Sequence, residues 1–137
     1  MRMMIDTNIL LDVLLERQPF YNNSKAVLRL CEEKKVLGFL TASTITDIYY
    51  LIHRHVHSSD VAYQCLGYIL DIIKVLPVTN EDVISAYLKK AHDFEDCLLA
   101  TCAKSNNCSY IVTRNRGDFL AFDVPLLSPE ELLAKIR

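Results

Sequence analysis

The chain alternates between short apolar runs and longer segments in which apolar residues recur every three or four positions. The short runs predict buried strands, and the recurring pattern predicts helices that each turn one apolar face toward a core. The predicted strands cover 3–5, 36–41, 74–78, 109–113 and 124–127. The predicted helices cover 9–15, 22–35, 43–57, 60–73, 80–91, 94–105 and the segment that begins at 129.

Strands that alternate with helices pair in parallel through right-handed crossovers. The predicted fold is therefore a three-layer α/β/α sandwich with a central, mostly parallel sheet of four to five strands. Polar residues at the helix starts support these boundaries. The predicted caps are Ser43, Ser59, Thr79 and Asp93. The segment Ser128-Pro129-Glu130-Glu131 predicts a capping box with proline at the first helical position.

Size and composition favour one globular domain over residues 1–137, because half of the chain is apolar and only three glycines and four prolines interrupt it. The net charge of −2 excludes a strongly basic nucleic-acid binder, although 15 Lys and Arg can still form a local basic groove. No run reaches the roughly 18 uncharged apolar residues that span a membrane, and Asp6 and Asp12 interrupt any signal-peptide core. The five cysteines form no C-x-x-C pair, so we expect reduced thiols in a cytoplasmic protein.

Four acidic residues are placed where the predicted sheet would bring them together. Asp6 ends the first strand, and Asp47 lies near the start of the helix that follows the second. Asp96 lies in the first turn of the helix before strand 109–113, and Asp118 lies just after that strand. Each alone is also explained as a cap, a turn residue or a partner of a helix dipole. Because ligands bind outside the carboxyl ends of parallel strands, we expect the four to meet in one pocket.

Such a cluster has a limited chemistry. Two carboxylates about 5 Å apart repel by roughly 3 kcal/mol at an effective dielectric of about 20, so a group of them takes up protons or binds cations. Ligands that are all oxygen favour Mg²⁺ or Mn²⁺ over zinc. Such ions commonly serve phosphate chemistry, since they neutralise phosphate charge and lower the pKa of an attacking water. The remaining nearby acids, expected to be solvated or to cap helices, are Asp12, Glu16, Asp93 and Glu95.

Four segments resemble, in the same order, the motifs of PIN-domain (PilT N-terminus) nucleases. They are 4–12, 41–50, 93–100 and 111–115 with Gly117-Asp118-Phe119, and the tail 124–133 resembles the family's ending. The resemblance implies a PIN-like fold and a metal-dependent endoribonuclease, a hydrolase that is often the VapC-type toxin of a toxin–antitoxin pair. It implies that a metal-activated water attacks the phosphodiester in line and leaves a 5′-phosphate and a 3′-hydroxyl.

The resemblance also implies roles for single residues. The catalytic residues that hold one or two Mg²⁺ or Mn²⁺ ions would be Asp6, Asp47, Asp96 and Asp118. Those that hydrogen-bond the carboxylates, water or phosphate would be Asn8, Thr113 and Asn115. Arg114 and Arg116 flank the fourth motif and are candidates for holding RNA phosphates. The implied partners are an RNA substrate, an antitoxin protein and a second copy in a homodimer, with no membrane.

Two alternatives stay open at this stage. Many family members carry Glu where this chain has Asp47, and the shorter acid would touch a metal through water. This substitution is the one hint toward a non-catalytic PIN module that binds RNA or protein. A different phosphoryl-transfer protein of the haloacid-dehalogenase type would need Asp where Asn8 stands, and a response-regulator receiver would need an early acidic pair.

The aromatic and histidine residues of segment 43–57 suggest no metal site. His53, His55 and His57 have no Cys or acid at zinc-like spacing, so we expect surface positions for them. Tyr49 is expected in the core and Tyr50 at the surface.

Overall fold

A computed structural model describes residues 1–136, and within them the chain forms a sheet covered by helices. The strands are β1 (Arg2–Ile5), β2 (Leu37–Thr41), β3 (Lys74–Leu76), β4 (Tyr110–Val112) and β5 (Leu126–Leu127). The helices are α1 (Thr7–Leu14), α2 (Tyr21–Glu32), α3 (Ala42–Val56), α4 (Ser59–Ile72), α5 (Asn80–Lys89), α6 (Phe94–Ser105) and α7 (Pro129–Ile136). A turn of 3₁₀ helix, Arg116–Asp118, follows β4.

The strands lie in the order β3-β2-β1-β4-β5, and every neighbouring pair is parallel. The strand β1 is central, with Met4 opposite Phe39 of β2 and Ile111 of β4. Since the strands all point the same way, their carboxyl ends share one edge of the sheet. The predicted α/β/α fold is therefore confirmed.

Alternating side chains of the strands build two separate cores, one on each face of the sheet. Met3 and Ile5 join the core formed with α1, α2, α3, α4 and α7. Met4 joins the core formed with α5 and α6. Cys97 and Cys102 are fully buried in that second core, and all five cysteines are free thiols. The sheet is thus held rigidly on both sides, which fixes the positions of the residues at its carboxyl edge.

Hydroxyl and carboxylate caps begin most of the helices, although two differ from the predicted ones. Thr41 caps α3 in place of Ser43, and Ser58 caps α4 in place of Ser59. In both cases a second hydroxyl residue stands close before the predicted cap, and its extended backbone lets it accept the N–H of the first turn. The predicted caps Thr79 and Asp93 are confirmed.

The capping box at the start of α7 is also confirmed. Glu131 N–H donates to Ser128 Oγ at 3.1 Å, and Ser128 N–H donates to Glu131 Oε1 at 2.9 Å. No helix within residues 1–136 has both the length and the apolar character to cross a membrane.

A candidate metal centre at the carboxyl edge of the sheet

Asp6 lies at the centre of the carboxyl edge, between the end of β1 and the start of α1. Its residue is only 6% exposed, and its carboxylate Oδ2 accepts a hydrogen bond of 2.9 Å from Thr113 Oγ1. Thr113 follows the neighbouring strand β4 and is itself buried. Its hydroxyl accepts the N–H of Asn115 at 3.0 Å, so the hydroxyl proton is free to point at Asp6. The loop after β4 therefore orients the central carboxylate.

Asp96 and Asp118 join Asp6 at this edge. Asp96 lies in the first turn of α6. This helix leads into β4, which is parallel to the other strands, so α6 starts at the carboxyl edge and runs antiparallel to the strands. Burial raises the pKa of Asp6, and the charge of Asp118 raises it further. Burial also raises the pKa of Asp96 to about 7, together with the charges of Asp93, Asp6 and Asp118. The structure thus brings three of the four predicted acids within each other's electrostatic reach.

Asp47 reaches the same cluster through a residue that sequence reasoning had set aside. It lies on α3, and its carboxyl hydrogen-bonds that of Glu95, which raises the pKa of Glu95 to about 7. Burial and the charges of Asp47, Asp93 and Asp96 raise this pKa further. Glu95 is exposed, as predicted, but it is also the link between Asp47 and the other acids. Its position beside Asp96 in one helical turn was the available signal.

The donor set fits a hard divalent cation. The side chains that converge are carboxylates, the ligands of Mg²⁺ and Mn²⁺, and they lack the His and Cys that zinc prefers. Among the described residues, no three Asp, Glu, His or Cys side chains are drawn close enough together to hold a metal ion between them. Carboxylates without a shared cation repel one another, and this repulsion contributes to the raised pKa values of Asp96 and Glu95. A cation between them would remove it.

Asp12 was predicted to be solvated or to cap a helix, and this prediction is wrong. Its side chain is 0% exposed on α1. Arg114 donates to it twice, from Nε at 2.9 Å and from Nη2 at 3.1 Å, and Ser24 Oγ donates at 3.1 Å. The apolar residues on either side of Asp12 indicate a helix that is buried on every face. A charged side chain on such a helix must be paired, and this is the signal from which the ion pair could have been predicted.

Arg114 is therefore an anchor for the loop that carries Asn115 and Asp118. Its guanidinium also lies over the ring of Phe20, with the carbon Cζ 3.9 Å from the ring centroid. Its charge lowers the pKa of Asp6, although less than burial raises it. The group predicted to hold RNA phosphate is thus engaged with Asp12.

The other predicted residues lie around this cluster in different settings. Asn8 Oδ1 accepts a weak hydrogen bond of 3.4 Å from Arg17 Nη1. Arg116 is half exposed and forms an ion pair with Glu131 of α7. Asn115 uses its main-chain N–H to hold the hydroxyl of Thr113. These contacts order the loop after β4, beside the cluster formed by Asp6, Asp96 and Asp118.

Comparisons with known proteins give one family and a set of similar folds. A family model described as PIN domain matches residues 2–117. The crystal structure of VapBC2 from Rickettsia felis, bound to a DNA fragment from their promoter, is 17% identical with a TM-score of 0.70 and covers 93% of this chain and 98% of that chain. A toxin–antitoxin complex from Klebsiella pneumoniae is 18% identical with a TM-score of 0.66 and covers 92% and 96%.

A third similar fold is VapC20 from Mycobacterium tuberculosis, described as a toxin that cleaves the sarcin–ricin loop. It is 12% identical with a TM-score of 0.68, and the match covers 88% of this chain and 96% of that chain. No curated protein sequence matches the chain. At these identities the likeness to solved structures concerns the fold.

Proposed function

The chain belongs to the PIN-domain family, and from this we propose that it is a Mg²⁺- or Mn²⁺-dependent endoribonuclease that hydrolyses RNA phosphodiester bonds. One observation carries the proposal: Asp6, Asp96 and Asp118 lie within electrostatic reach of one another at the carboxyl edge of the sheet. The raised pKa values of Asp6 and Asp96 show that their charged forms are disfavoured without a ligand, which is typical of a functional site.

The residues that would hold the metal are Asp6, Asp96 and Asp118, with Asp47 acting through water beside them. When bound, the metal would neutralise phosphate charge and lower the pKa of the attacking water. Thr113 keeps the Asp6 carboxylate in one orientation through its 2.9 Å hydrogen bond.

The chain's own groups also manage protons at this site. The hydrogen bond with Asp47, together with burial, raises the pKa of Glu95 to about 7. A carboxyl with such a pKa exchanges its proton near neutral pH and suits general acid–base work. In our proposal Glu95, in its ionised form, would accept the proton that hydrolysis releases and pass it to solvent.

The first experiment is cleavage of a labelled single-stranded RNA by purified protein. We expect cleavage with Mn²⁺, none with EDTA, and at least a 100-fold slower rate for Asp6→Asn. The matched control is Asp71→Asn, because Asp71 is an exposed acid at the far end of α4, beside the amino end of β3. If Asp6→Asn cuts as fast as the unchanged protein, the acid cluster is not the source of the activity and the proposal fails.

We also propose that the protein is a toxin held by an antitoxin, and that it forms a homodimer. The likeness of its fold to a protein from a toxin–antitoxin complex supports the first part. Co-expression with the product of a neighbouring small gene, followed by purification and light scattering, tests both. A lone monomer after co-expression would contradict them and leave the nuclease proposal intact.

One observation favours a second candidate function, a PIN module that binds RNA without cutting it. Asp47 is paired with Glu95, and among the described residues no three acids are close enough together to hold a metal ion. Binding of RNA that survives EDTA, with no cleavage in Mn²⁺ or Mg²⁺, would select this function.

A further inference from the structure

A group of aromatic rings lies exposed on the hairpin of α3 and α4. It consists of Tyr49, Tyr50, His53 and Tyr63, which we call the tyrosine platform. Tyr50 is 64% exposed and Tyr63 is 65% exposed. The ring centroid of the half-buried Tyr49 lies 5.3 Å from that of Tyr50 and 5.2 Å from that of Tyr63. His53 stacks on Tyr49 with centroids 5.9 Å apart and planes 19° apart. The packing fixes the rings while their outer faces stay accessible.

We propose that this platform stacks bases of single-stranded RNA beside the acid cluster. The inference rests on the proposed function, since it assigns a substrate-binding surface to the same site. Aromatic side chains are the usual stacking partners of unpaired bases, and such stacking tolerates any base because each has a π-face.

The first argument is position. Asp47, Tyr50 and Arg54 are spaced by three and four residues, so they lie along one face of α3. At about 1.5 Å per residue, Tyr50 follows Asp47 by about 4.5 Å and Arg54 follows it by about 10 Å along the helix axis. Because Asp47 hydrogen-bonds Glu95, this face starts at the acid cluster. A strand with one phosphate at the acids therefore has an adjoining base within reach of Tyr50, from which Tyr49 and Tyr63 continue the stacking surface toward α4.

The second argument is charge. The last turn of α3 carries His53, Arg54 and His55, all exposed, against one acid, Asp60, in the first turn of α4. The acids proposed to hold a cation, then Tyr50, then the cationic Arg54 follow one another along the helix. This order matches the alternation of phosphate and base in a single strand.

The third argument is size and composition, which suit a small planar ligand such as a base. The rings and their neighbours on α3 and α4 line a depression of about 340 Å³. That volume lies at the small end of ligand sites. Tyrosines line the depression, and their ring faces can stack on bases while their hydroxyl groups hydrogen-bond water.

The test uses the absence of tryptophan from the sequence. A Tyr50→Trp variant carries one fluorophore on the platform, and a base stacked on it quenches its emission. The full-length protein is titrated in EDTA with a single-stranded RNA hexamer and with an abasic strand of equal length. We expect saturable quenching by the hexamer and at least tenfold weaker binding of the abasic strand.

Variants then locate the binding. Tyr50→Ala and Tyr63→Ala should each weaken hexamer binding about tenfold, while Tyr50→Phe and Tyr63→Phe should keep it because the ring remains. Tyr87→Ala is the matched control, since Tyr87 is 61% exposed on α5 beyond the opposite face of the sheet. It should bind as the unchanged protein does.

Two results would overturn the inference. One is equal binding by the alanine variants and the unchanged protein. The other is a change of oligomeric state in Tyr50→Ala or Tyr63→Ala without a change in RNA affinity, which would assign the rings to a protein contact. Mn²⁺-dependent cleavage is measured separately in the unchanged protein. If the unchanged protein cleaves RNA but the alanine variants bind the hexamer as well as it does, the platform is refuted and the nuclease proposal stands. If the platform binds RNA but the unchanged protein does not cleave it, the nuclease proposal is refuted and the platform stands.

Discussion

Replacing Arg114 with methionine should lower the melting temperature by about 10 °C. The carboxylate of Asp12 is completely buried and depends on two hydrogen bonds from Arg114. Removing one partner of a buried ion pair costs about 3–5 kcal/mol, because the other charge is left uncompensated. The lower figure applies here, since Ser24 still donates to Asp12 and Arg17 lies 3.8 Å away. With an unfolding entropy of about 2.1 cal/mol/K per residue, about 3 kcal/mol corresponds to about 10 °C for a chain of this length.

The assay is thermal unfolding followed by circular dichroism, with urea unfolding at 25 °C as a second measure. The Asp12→Leu/Arg114→Met double variant should recover at least half of the loss, since a well-packed apolar pair replaces a buried ion pair at little cost. Arg116→Met is the control, because its ion pair with Glu131 is exposed to solvent and contributes little to stability. The reasoning is refuted if Arg114→Met melts within 3 °C of the unchanged protein, or if the double variant melts below Arg114→Met.

Three further predictions concern other parts of the structure. Thr113→Val removes the hydroxyl that orients Asp6 and should reduce Mn²⁺ affinity about 10- to 100-fold in cleavage titrations, whereas Thr113→Ser should not. In EDTA, stability should fall between pH 5 and 8, because a pKa of Asp96 raised to about 7 means that the folded state binds the proton more tightly than the unfolded state. The melting temperature of Asp96→Asn should depend less on pH across this range than that of the unchanged protein. An equal dependence on pH would contradict the assignment. Thr41→Val removes the cap of α3 and should cost about 1 kcal/mol in urea unfolding, with Thr41→Ser close to unchanged.

The sequence was sufficient for those features that depend on local pattern. Apolar runs located every strand, and their ends placed Asp6, Asp96 and Asp118 at one edge because parallel strands end together. Strand and helix lengths were less accurate, since β3 ends at Leu76 and α2 at Glu32, before the predicted ends at 78 and 35.

The contacts that the sequence did not reveal join residues far apart in the chain. Arg114 and Asp12 are separated by 102 positions, and nothing near either one specifies the other. Asp47 and Glu95 are also far apart in the chain, and they meet because α3 and α6 both start at the carboxyl edge. Thr41 was overlooked as a cap because its backbone still belongs to β2.

The central position of β1 has a consequence for how the protein is made. The strand pairs with β4, and Asp6 receives its hydrogen bond from Thr113, so the acid cluster needs residues from both ends of the chain. A nascent chain synthesised from its amino terminus lacks Asp96 and Asp118 until most of it has emerged. Such long-range pairing also forms late in folding. The acid cluster therefore assembles only after most of the chain has been synthesised.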